Sequence, residues 1–280
     1  MDPIIIRAEG ARVTLYPDGP DWQGAPAATL GNFSSKDAAG GRVVLAQALT
    51  QARALGIRQL IGPMEGDTWH SYRFITESDD SPPFLLEPTN KPHEPALFTE
   101  AGFQPIGRYF SARVALNQTA DNPPPAPEGF TITPWSGADP EALFGQVFDL
   151  SVEAFSRNAF YKPISRQAFL AMYMPVVPLM KRELIFFATT PKGRLMGFLF
   201  GIPNYAEGPQ TKTVILKTYA SLMPGAGRHL AHAFHSAARA LGYDTAIHAL
   251  IHEDNLSALR SAVEGAQVFR RYTLFGLRLA

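Results

Sequence analysis

Residues 213–257 read TVILKTYASLMPGAGRHLAHAFHSAARALGYDTAIHALIHEDNLS, and they contain the clearest structural pattern in the sequence. An apolar run at 214–222 predicts a strand that breaks at Pro224, and a second run at 245–251 predicts another strand. Between them, apolar residues at helical spacing predict a helix that Gly242 ends. The order strand, glycine turn, helix and strand is one βαβ unit.

The turn between the first strand and the helix is Gly225-Ala226-Gly227, and Arg228 follows it. Glycine lets a ligand approach the backbone closely because it has no Cβ. The free N–H groups at the start of the helix form an anion site, to which Arg228 adds a positive charge. A purely structural turn explains the same residues, because one Gly-x-Gly is a weak motif.

This order of elements resembles the cofactor-binding core of the GNAT N-acetyltransferase superfamily. There, a strand runs into an Arg/Gln-x-x-Gly-x-Gly/Ala turn and then a helix. Leu222-x-x-Gly225-x-Gly227 matches the glycines and has Leu where Arg or Gln is usual. The resemblance covers residues 130–280. It implies that acetyl-CoA binds as a co-substrate, with its pyrophosphate on the backbone amides of the turn.

The resemblance also implies which residues meet the cofactor. Asn255 stands where the family often has an Asn after the second strand. A tyrosine that protonates the departing thiolate commonly follows seven residues later, and that position is Ala262 here. The predicted cofactor-binding residues are Tyr219, Ala220, Ser221, Gly225, Ala226, Gly227, Arg228, His229, Asn255 and Ser257.

Acetyl transfer to an amine needs a base for the amine, a donor for the developing oxyanion and an acid for the thiolate. The base is needed because a lysine-like amine has a pKa of about 10.4. We predict catalytic roles for Glu253, His252 and Tyr272. Glu253 is equally well explained as a surface carboxylate, and Tyr272 as a core tyrosine. Further candidates are Glu153 as a base and Tyr219 and Ser257 as acids.

A histidine pair raises the question of a metal site. His248 and His252 are four residues apart on the second predicted strand, so they are expected to share a face. The chain has no cysteine and no third ligand nearby in sequence, so we predict no metal. His229, His232 and His235 fit a solvated helix face.

The N-terminal half repeats the pattern of the C-terminal half. Residues 41–56 match residues 227–242 after a shift of 186, with the same residue type at seven of sixteen positions. A second match, at a shift of 163, joins the Gly, Gln, Arg and Tyr of 102–109 to those of 265–272. We therefore expect an internal duplication.

The first copy is expected to lack a cofactor. Its predicted turn, Ala39-Gly40-Gly41, has Ala where the second copy has Gly225. Asp37 is predicted to lie near a helix N-terminus, where it would repel a phosphate.

We predict a mixed α/β fold with two GNAT-like domains in tandem, the first of them incomplete. The predicted domains are 1–118 and 129–280, joined by a proline-rich linker at 119–128. In the first domain, strands are expected at 3–7, 12–16, 27–33, 57–61 and 106–116, and helices at 42–55 and 94–101.

Composition narrows the class of protein. The 280 residues are 46% hydrophobic and 18% charged, which suits a packed core rather than a disordered chain. Lys+Arg and Asp+Glu both number 25, a balance that argues against nucleic acid as partner. No apolar run approaches the roughly 20 residues of a membrane span, and MDPIII does not read as a signal peptide. We expect a soluble cytoplasmic protein, either monomer or homodimer.

The predicted function is N-acetyl transfer from acetyl-CoA directly to an amine of a small molecule or peptide. One alternative is a non-catalytic CoA-binding or regulatory module, which Leu222 and Ala262 favour because the usual residues are absent there. Another is a mixed α/β protein whose glycine turn is only structural.

Overall fold

The computed structural model describes residues 1–120, 122–255, 258, 261–262 and 265–279. The described strands are β1 (Ile4–Ala8), β2 (Ala11–Tyr16), β3 (Asp21–Trp22), β4 (Ala25–Pro26), β5 (Ala28–Ser35), β6 (Gln59–Gly62), β7 (Phe74–Ser78), β8 (Gln104–Ala115), β9 (Thr131–Pro134), β10 (Ile185–Thr189), β11 (Leu195–Pro203), β12 (Thr213–Ser221), β13 (Thr245–His252) and β14 (Gln267–Arg278). The described α-helices are α1 (Ala38–Ala54), α2 (Glu94–Glu100), α3 (Pro140–Phe155), α4 (Arg166–Tyr173) and α5 (Ala226–Ala240).

The chain folds as two compact units. The first consists of Met1–Tyr109, Asn158–Lys162 and Arg270–Ala280, and the second of Phe110–Arg157 and Pro163–Phe269. The first unit therefore includes most of β14, which the sequence analysis assigned to the C-terminal domain. The predicted domain limits stay a prediction.

The first unit has the strand order β1-β2-β5-β6-β14-β8, with β7 paired to β14. β5 and β6 are parallel and joined through α1, whereas β1 with β2 and β2 with β5 are antiparallel. Helix α1 packs its apolar side on this sheet. The core of the unit includes Val13, Leu15, Leu30, Val44, Leu45, Ala48, Phe98 and Phe103.

Helix α1 begins at Ala38, four residues before its predicted start at 42, so the expected turn at 39–41 is wrong. Asp37 caps the helix, and its carboxylate accepts the N–H of Gly40 at 2.9 Å. Gly40 and Gly41 are therefore helical. A Cβ at Gly41 would overlap the side chain of Leu97, so glycine here allows α2 to approach α1 closely.

The second unit has the strand order β8-β13-β12-β11-β10-β9. β12 and β13 are parallel and joined through α5, whereas the pairs β9–β10, β10–β11 and β11–β12 are antiparallel. The predicted βαβ unit is thus present with nearly the predicted bounds. Asp139 caps α3, and its side chain accepts the N–H of Ala142 at 3.1 Å. The core of the unit includes Phe130, Leu184, Leu199, Val214, Leu216, Leu230, Phe234 and Ala246.

No described helix is both long and apolar enough to cross a bilayer.

Candidate functional site

The two strands of the βαβ unit stay paired only over their first halves. The registered pairs between β12 and β13 begin at Thr213–Thr245 and end at Leu216–His248. Beyond that pair, β12 runs on to Ser221 and β13 to His252, with no further register between them among the described residues. Leu250 has a left-handed φ of 56°, which breaks the regular course of β13 just after the last pair. The two strands therefore part beyond this pair, and we call the space between their unpaired ends the gap.

A β-bulge in β12 decides which backbone groups face this gap. Thr218 pairs with Phe200 of β11 and Leu216 with Gly201, so Lys217 is the extra residue. The N–H of Leu222 donates to Met196 O at 2.9 Å, which sets the alternation of bonded pairs after the bulge. Every second residue of β12 bonds to the same neighbouring strand, so Ala220 and Thr218 bond to β11 as Leu222 does. The N–H and C=O groups of Tyr219 and Ser221 consequently face the side of β12 that carries β13.

The turn after β12 is held by the Ser221 side chain. Its hydroxyl donates to Met223 O at 2.8 Å and accepts the N–H of Met223 at 3.1 Å. Ser221 thus orders the predicted cofactor turn through a local hydrogen-bonded loop.

Helix α5 begins without a side-chain cap. Its N-cap is Gly225, at a left-handed φ of 83°, and a Cβ there would have nothing within 4 Å. The N–H groups of Arg228 and His229 bond to Gly225 O at 3.0 and 3.4 Å, a bifurcated arrangement at the helix start. Open space above an uncapped helix N-terminus is what an anionic ligand needs, so the turn fits a pyrophosphate.

Arg228 and His229 flank this turn differently. Arg228 is exposed, whereas His229 is half-buried, with its ring edge-on to Phe130 at 5.4 Å between centroids. Burial, with a smaller contribution from the charge of Arg228, lowers the pKa of His229. At neutral pH, Arg228 is therefore the cation at this turn.

The polar residues after β13 form a tight turn. His252 ends the strand half-buried, and its Nδ1 accepts the N–H of Asp254 at 3.1 Å. Glu253 is exposed, and the N–H of Asn255 donates to His252 O at 3.1 Å. His252, Glu253 and Asn255 therefore follow the end of β13, on the strand that borders the gap.

Two predicted site residues, Tyr272 and Glu153, stand apart from this cluster. Tyr272 belongs to the first unit, is 1% exposed, and donates its hydroxyl hydrogen to Glu87. Ser257 lies outside the described residues. Glu153 of α3 is exposed and lies 3.6 Å from Arg194 as an ion pair.

The second unit also contains a buried polar chain that sequence reasoning missed. His235 Nε2 lies 3.0 Å from His248 Nε2, and His248 Nδ1 lies 2.9 Å from Ser261 Oγ. His235 was expected on a solvated face, and it is 1% exposed. His248 was expected to share a face with His252, but it pairs with His235 instead. The sequence signal for this burial was the position of His235 on the apolar side of α5, directly after Phe234.

No group of three metal-ligating side chains occurs in the part of the chain that the structure describes.

The buried histidines give the second unit a dependence on pH. Burial lowers the pKa of His235 to about 3 and that of His248 to about 4, with His248 and Arg239 adding to the effect on His235. Both rings are therefore neutral in the folded state, whereas unfolded histidines take up protons below about pH 6.5. We expect the free energy of unfolding of this unit to be highest above pH 6.5 and to fall as the pH drops toward 4.

Hydrogen exchange of peptides from α5 and β13 measures this dependence. In a His235→Gln/His248→Gln variant, the free energy of unfolding should change much less with pH. A His70→Gln variant, altered in the first unit, should keep the full pH dependence. An equal slope in the parent and the double variant would contradict the assignment.

Comparisons with known proteins address the fold. No family model matches the chain, and no curated protein matches it. Among solved structures, a tandem GNAT protein from the clavulanic acid biosynthesis pathway, solved without AcCoA, aligns with a TM-score of 0.55 at 14% identity, over 96% of this chain and 78% of that one. A GCN5-related N-acetyltransferase from Sphaerobacter thermophilus aligns with a TM-score of 0.56 at 16% identity, over 97% and 81%. A probable N-acyltransferase of unknown function from Enterococcus faecalis V583 aligns at 0.57 and 12% identity, and this chain spans 59% of its length.

The chain thus has the mixed α/β fold of the GNAT N-acetyltransferases, and its structural neighbours include a tandem GNAT protein. The predicted fold class is confirmed.

Proposed function

We propose that this protein is an acyl-CoA-dependent N-acetyltransferase whose cofactor site lies in the second unit. The observation that carries the proposal is the gap between β12 and β13 together with the uncapped start of α5. A gap lined by backbone N–H groups suits an extended amide-containing chain, and the helix start suits its pyrophosphate. The fold shared with N-acetyltransferases supports the same assignment.

The proposed cofactor-binding residues divide by role. The backbone N–H groups of Gly225 and Gly227 and the cation of Arg228 are proposed to hold the pyrophosphate, beside Ala226, whose N–H donates to Met223 O at 3.3 Å. The backbone of 219–221 is proposed to hold the pantetheine arm, and the N–H of Tyr219 to donate to the thioester carbonyl. His229, Asn255 and Ser257 are proposed to border the ligand. Acetyl-CoA, when bound, supplies the acetyl group as a thioester.

His252 and Glu253 are the proposed bases. They end and follow β13 beside the gap, and an acceptor amine must lose a proton before it can attack. We assign no reacting role to Tyr272, because its hydroxyl is engaged by Glu87 in a buried site of the first unit. The proposed acceptor is an amine of a small molecule or a peptide.

We propose one cofactor site per chain, because the corresponding place in the first unit is filled by its own side chains. Ser35 ends β5 as Ser221 ends β12, and a shift of 186 relates the two. The Ser35 N–H donates to Glu94 Oε1 at 2.9 Å, and its C=O accepts from Lys91 Nζ at 2.7 Å. Glu94 is 2% exposed, so a carboxylate is built in where an anion would bind. Asp37 caps α1, so the helix start is closed as well.

Titration calorimetry with acetyl-CoA tests whether the cofactor binds and at how many sites per chain, and thermal unfolding measures how much it stabilises the protein. We expect one molecule to bind per chain and to raise the free energy of unfolding by about 2.7 kcal/mol when its concentration is a hundred times Kd. Gly227→Glu puts a carboxylate at the start of α5 and should weaken binding about tenfold or more. Ala240→Glu, at the exposed far end of α5, adds the same charge and should bind like the parent.

Two outcomes would contradict the proposal. Absence of binding by the parent at millimolar acetyl-CoA would remove the assignment. Full binding by Gly227→Glu, or two sites per chain, would place the cofactor elsewhere.

The second candidate is a CoA-binding module without transferase activity. It is favoured by Ala262, which is exposed and carries no acid group where the resemblance places a tyrosine. A screen of amine acceptors with acetyl-CoA separates the two functions. Binding with no acetylated product on any amine would support the module, whereas release of free CoA coupled to an acetylated amine would support the enzyme.

A further inference from the structure

The loop that follows β6 in the first unit gathers polar side chains that the proposed function does not use. It consists of residues 63–73 and reads PMEGDTWHSYR. β6 begins at Gln59 and β13 at Thr245, positions that the shift of 186 relates. The same shift relates this loop to the residues around the end of β13, which in the second unit include the proposed bases.

The two arms of this loop run antiparallel to each other. Met64 and Tyr72 form an antiparallel bridge, and the N–H of Glu65 donates to Ser71 O at 3.0 Å. His70 directly precedes Ser71. Glu65 and His70 therefore stand on facing arms, where the loop is held by its own backbone.

Asp67 fixes the orientation of the His70 ring. Its Oδ1 atom accepts the N–H groups of Trp69 and His70 at 2.8 and 3.2 Å, and it lies 2.8 Å from Nδ1 of His70. Nδ1 therefore carries a hydrogen, and the lone pair of the neutral ring is on Nε2. Asp67 is buried, whereas His70 is exposed, and its Nε2 has no partner among the described residues.

Glu65 is a half-buried carboxylate that holds nothing in the loop. Across the ranges that the structure describes, its side chain accepts no hydrogen bond and forms no ion pair, which is unusual for a polar group withdrawn from water. Burial raises the pKa of Glu65, while the charge of His70 acts to lower it. A charged carboxylate in this position costs free energy, and a bound cation would offset that cost.

The ring of Tyr16 covers the loop beside this carboxylate. A Cβ at Gly66 would lie 3.3 Å from Cδ1 of Tyr16, so the ring packs on this glycine. The hydroxyl of Tyr16 accepts from Asn32 Nδ2 at 2.7 Å, which fixes the ring from its other end. Tyr16 is half-buried, and the exposed part of its ring offers apolar surface to the carbon atoms of a ligand.

We propose that the first unit binds a small organic amine at this loop, with its ammonium group donating to Glu65 and to Nε2 of His70 and its carbon atoms on Tyr16. An ammonium group fits because it is a cation with three N–H donors, whereas both groups that it meets are acceptors. Asp67 acts through His70 as a positioning residue. The inference goes beyond the proposed function and does not rest on it, since the site requires no acetyl-CoA.

Proton NMR of the imidazole ring of His70 tests the site on the full-length parent. The probe is butylammonium chloride, added above the pKa of His70 so that Nε2 is free to accept. We expect the His70 signal to shift and saturate with a Kd on the order of 1–10 mM, as suits so small a ligand. The signal of His93, elsewhere in the first unit, should stay in place.

Two controls separate the ammonium group from its parts. Sodium chloride at the same ionic strength supplies a cation without N–H donors, and 1-butanol supplies the carbon chain without the charge. Neither should give a saturable shift of His70. Absence of saturation with butylammonium, or an equal response to 1-butanol or to sodium, would overturn the proposal.

Substitution of the carboxylate locates the cation. Glu65→Gln keeps the shape of the side chain and removes its charge, so it should weaken butylammonium binding about tenfold or more. Glu9→Gln removes an exposed carboxylate of the same unit and should bind like the parent. An unchanged His93 signal shows that each variant is folded. Equal binding by Glu65→Gln and the parent would place the cation elsewhere and overturn the proposal.

The outcome is separable from that of the proposed function. A parent that binds butylammonium and no acetyl-CoA would overturn the transferase assignment and keep this site, whereas the reverse result would overturn this site alone. Amines that bind here are the first compounds to enter the screen of acceptors.

Discussion

Replacing Glu87 by alanine is expected to lower the free energy of unfolding of the first unit by about 3–5 kcal/mol, because it removes the buried carboxylate that lies nearest to a buried cation. Glu87 accepts from Arg270 Nη1 at 2.8 Å and from the hydroxyl of Tyr272. The side chains of Glu87 and Arg270 are 0% and 2% exposed. Burial raises the pKa of Glu87, while Tyr272 and Arg270 act to lower it.

Urea unfolding followed by tryptophan fluorescence measures this loss. In a Trp135→Phe background, the remaining tryptophans, Trp22 and Trp69, both lie in the first unit and report on it alone. A control variant, Glu87→Met/Arg270→Met/Tyr272→Phe, replaces the three buried members of the cluster together and should recover most of the lost stability. A loss below about 1 kcal/mol for Glu87→Ala, the value of an exposed pair, would contradict the prediction.

Valine in place of Gly201 is expected to destabilise the second unit by about 3 kcal/mol, at the upper end of the cost of overpacking. Gly201 lies in β11 under α5, and an added Cβ would overlap the ring of Phe234. It would also come within 2.8 Å of Leu184 O, which is backbone and cannot move away by a change of rotamer. Helix α5 would have to lift, which would disturb the proposed cofactor turn at its start.

Hydrogen exchange of α5 peptides measures the loss, and calorimetry with acetyl-CoA measures the effect on binding. Adding Phe234→Ala to Gly201→Val makes room for the valine, so the double variant should be less destabilised than the sum of the two single variants. Additive effects of the two substitutions would show that the ring and residue 201 do not collide.

The fold of the second unit could be predicted from the sequence because its signals are local. The apolar runs of β12 and β13, the amphipathic α5 and the glycines at both ends of that helix each specify their own element. The start of α1 could not be placed as well. Gly40 and Gly41 read as a turn, and only the cap from Asp37 and the close approach of Leu97 explain why they are helical.

The candidate site, too, could be predicted only in part. The glycine turn and the residues after β13 follow from position along the chain, so they were predicted. The bulge at Lys217, the end of the β12–β13 ladder and the pairing of His235 with His248 depend on which strand and helix lie side by side. The spacing of His248 and His252 in the sequence suggested that these two side chains share a face of β13. That inference relied on a regular alternation of side chains, which the left-handed residue Leu250 breaks.

The placement of β14 has a consequence for the order in which this protein is made. Its residues from Arg270 on pair with β6 and β7, and Phe275 and Leu279 belong to the core of the first unit. A ribosome delivers these residues only after the whole second unit has been translated. The N-terminal segment must therefore wait with an unfinished sheet, and we expect it to be the part of the nascent chain that engages chaperones longest.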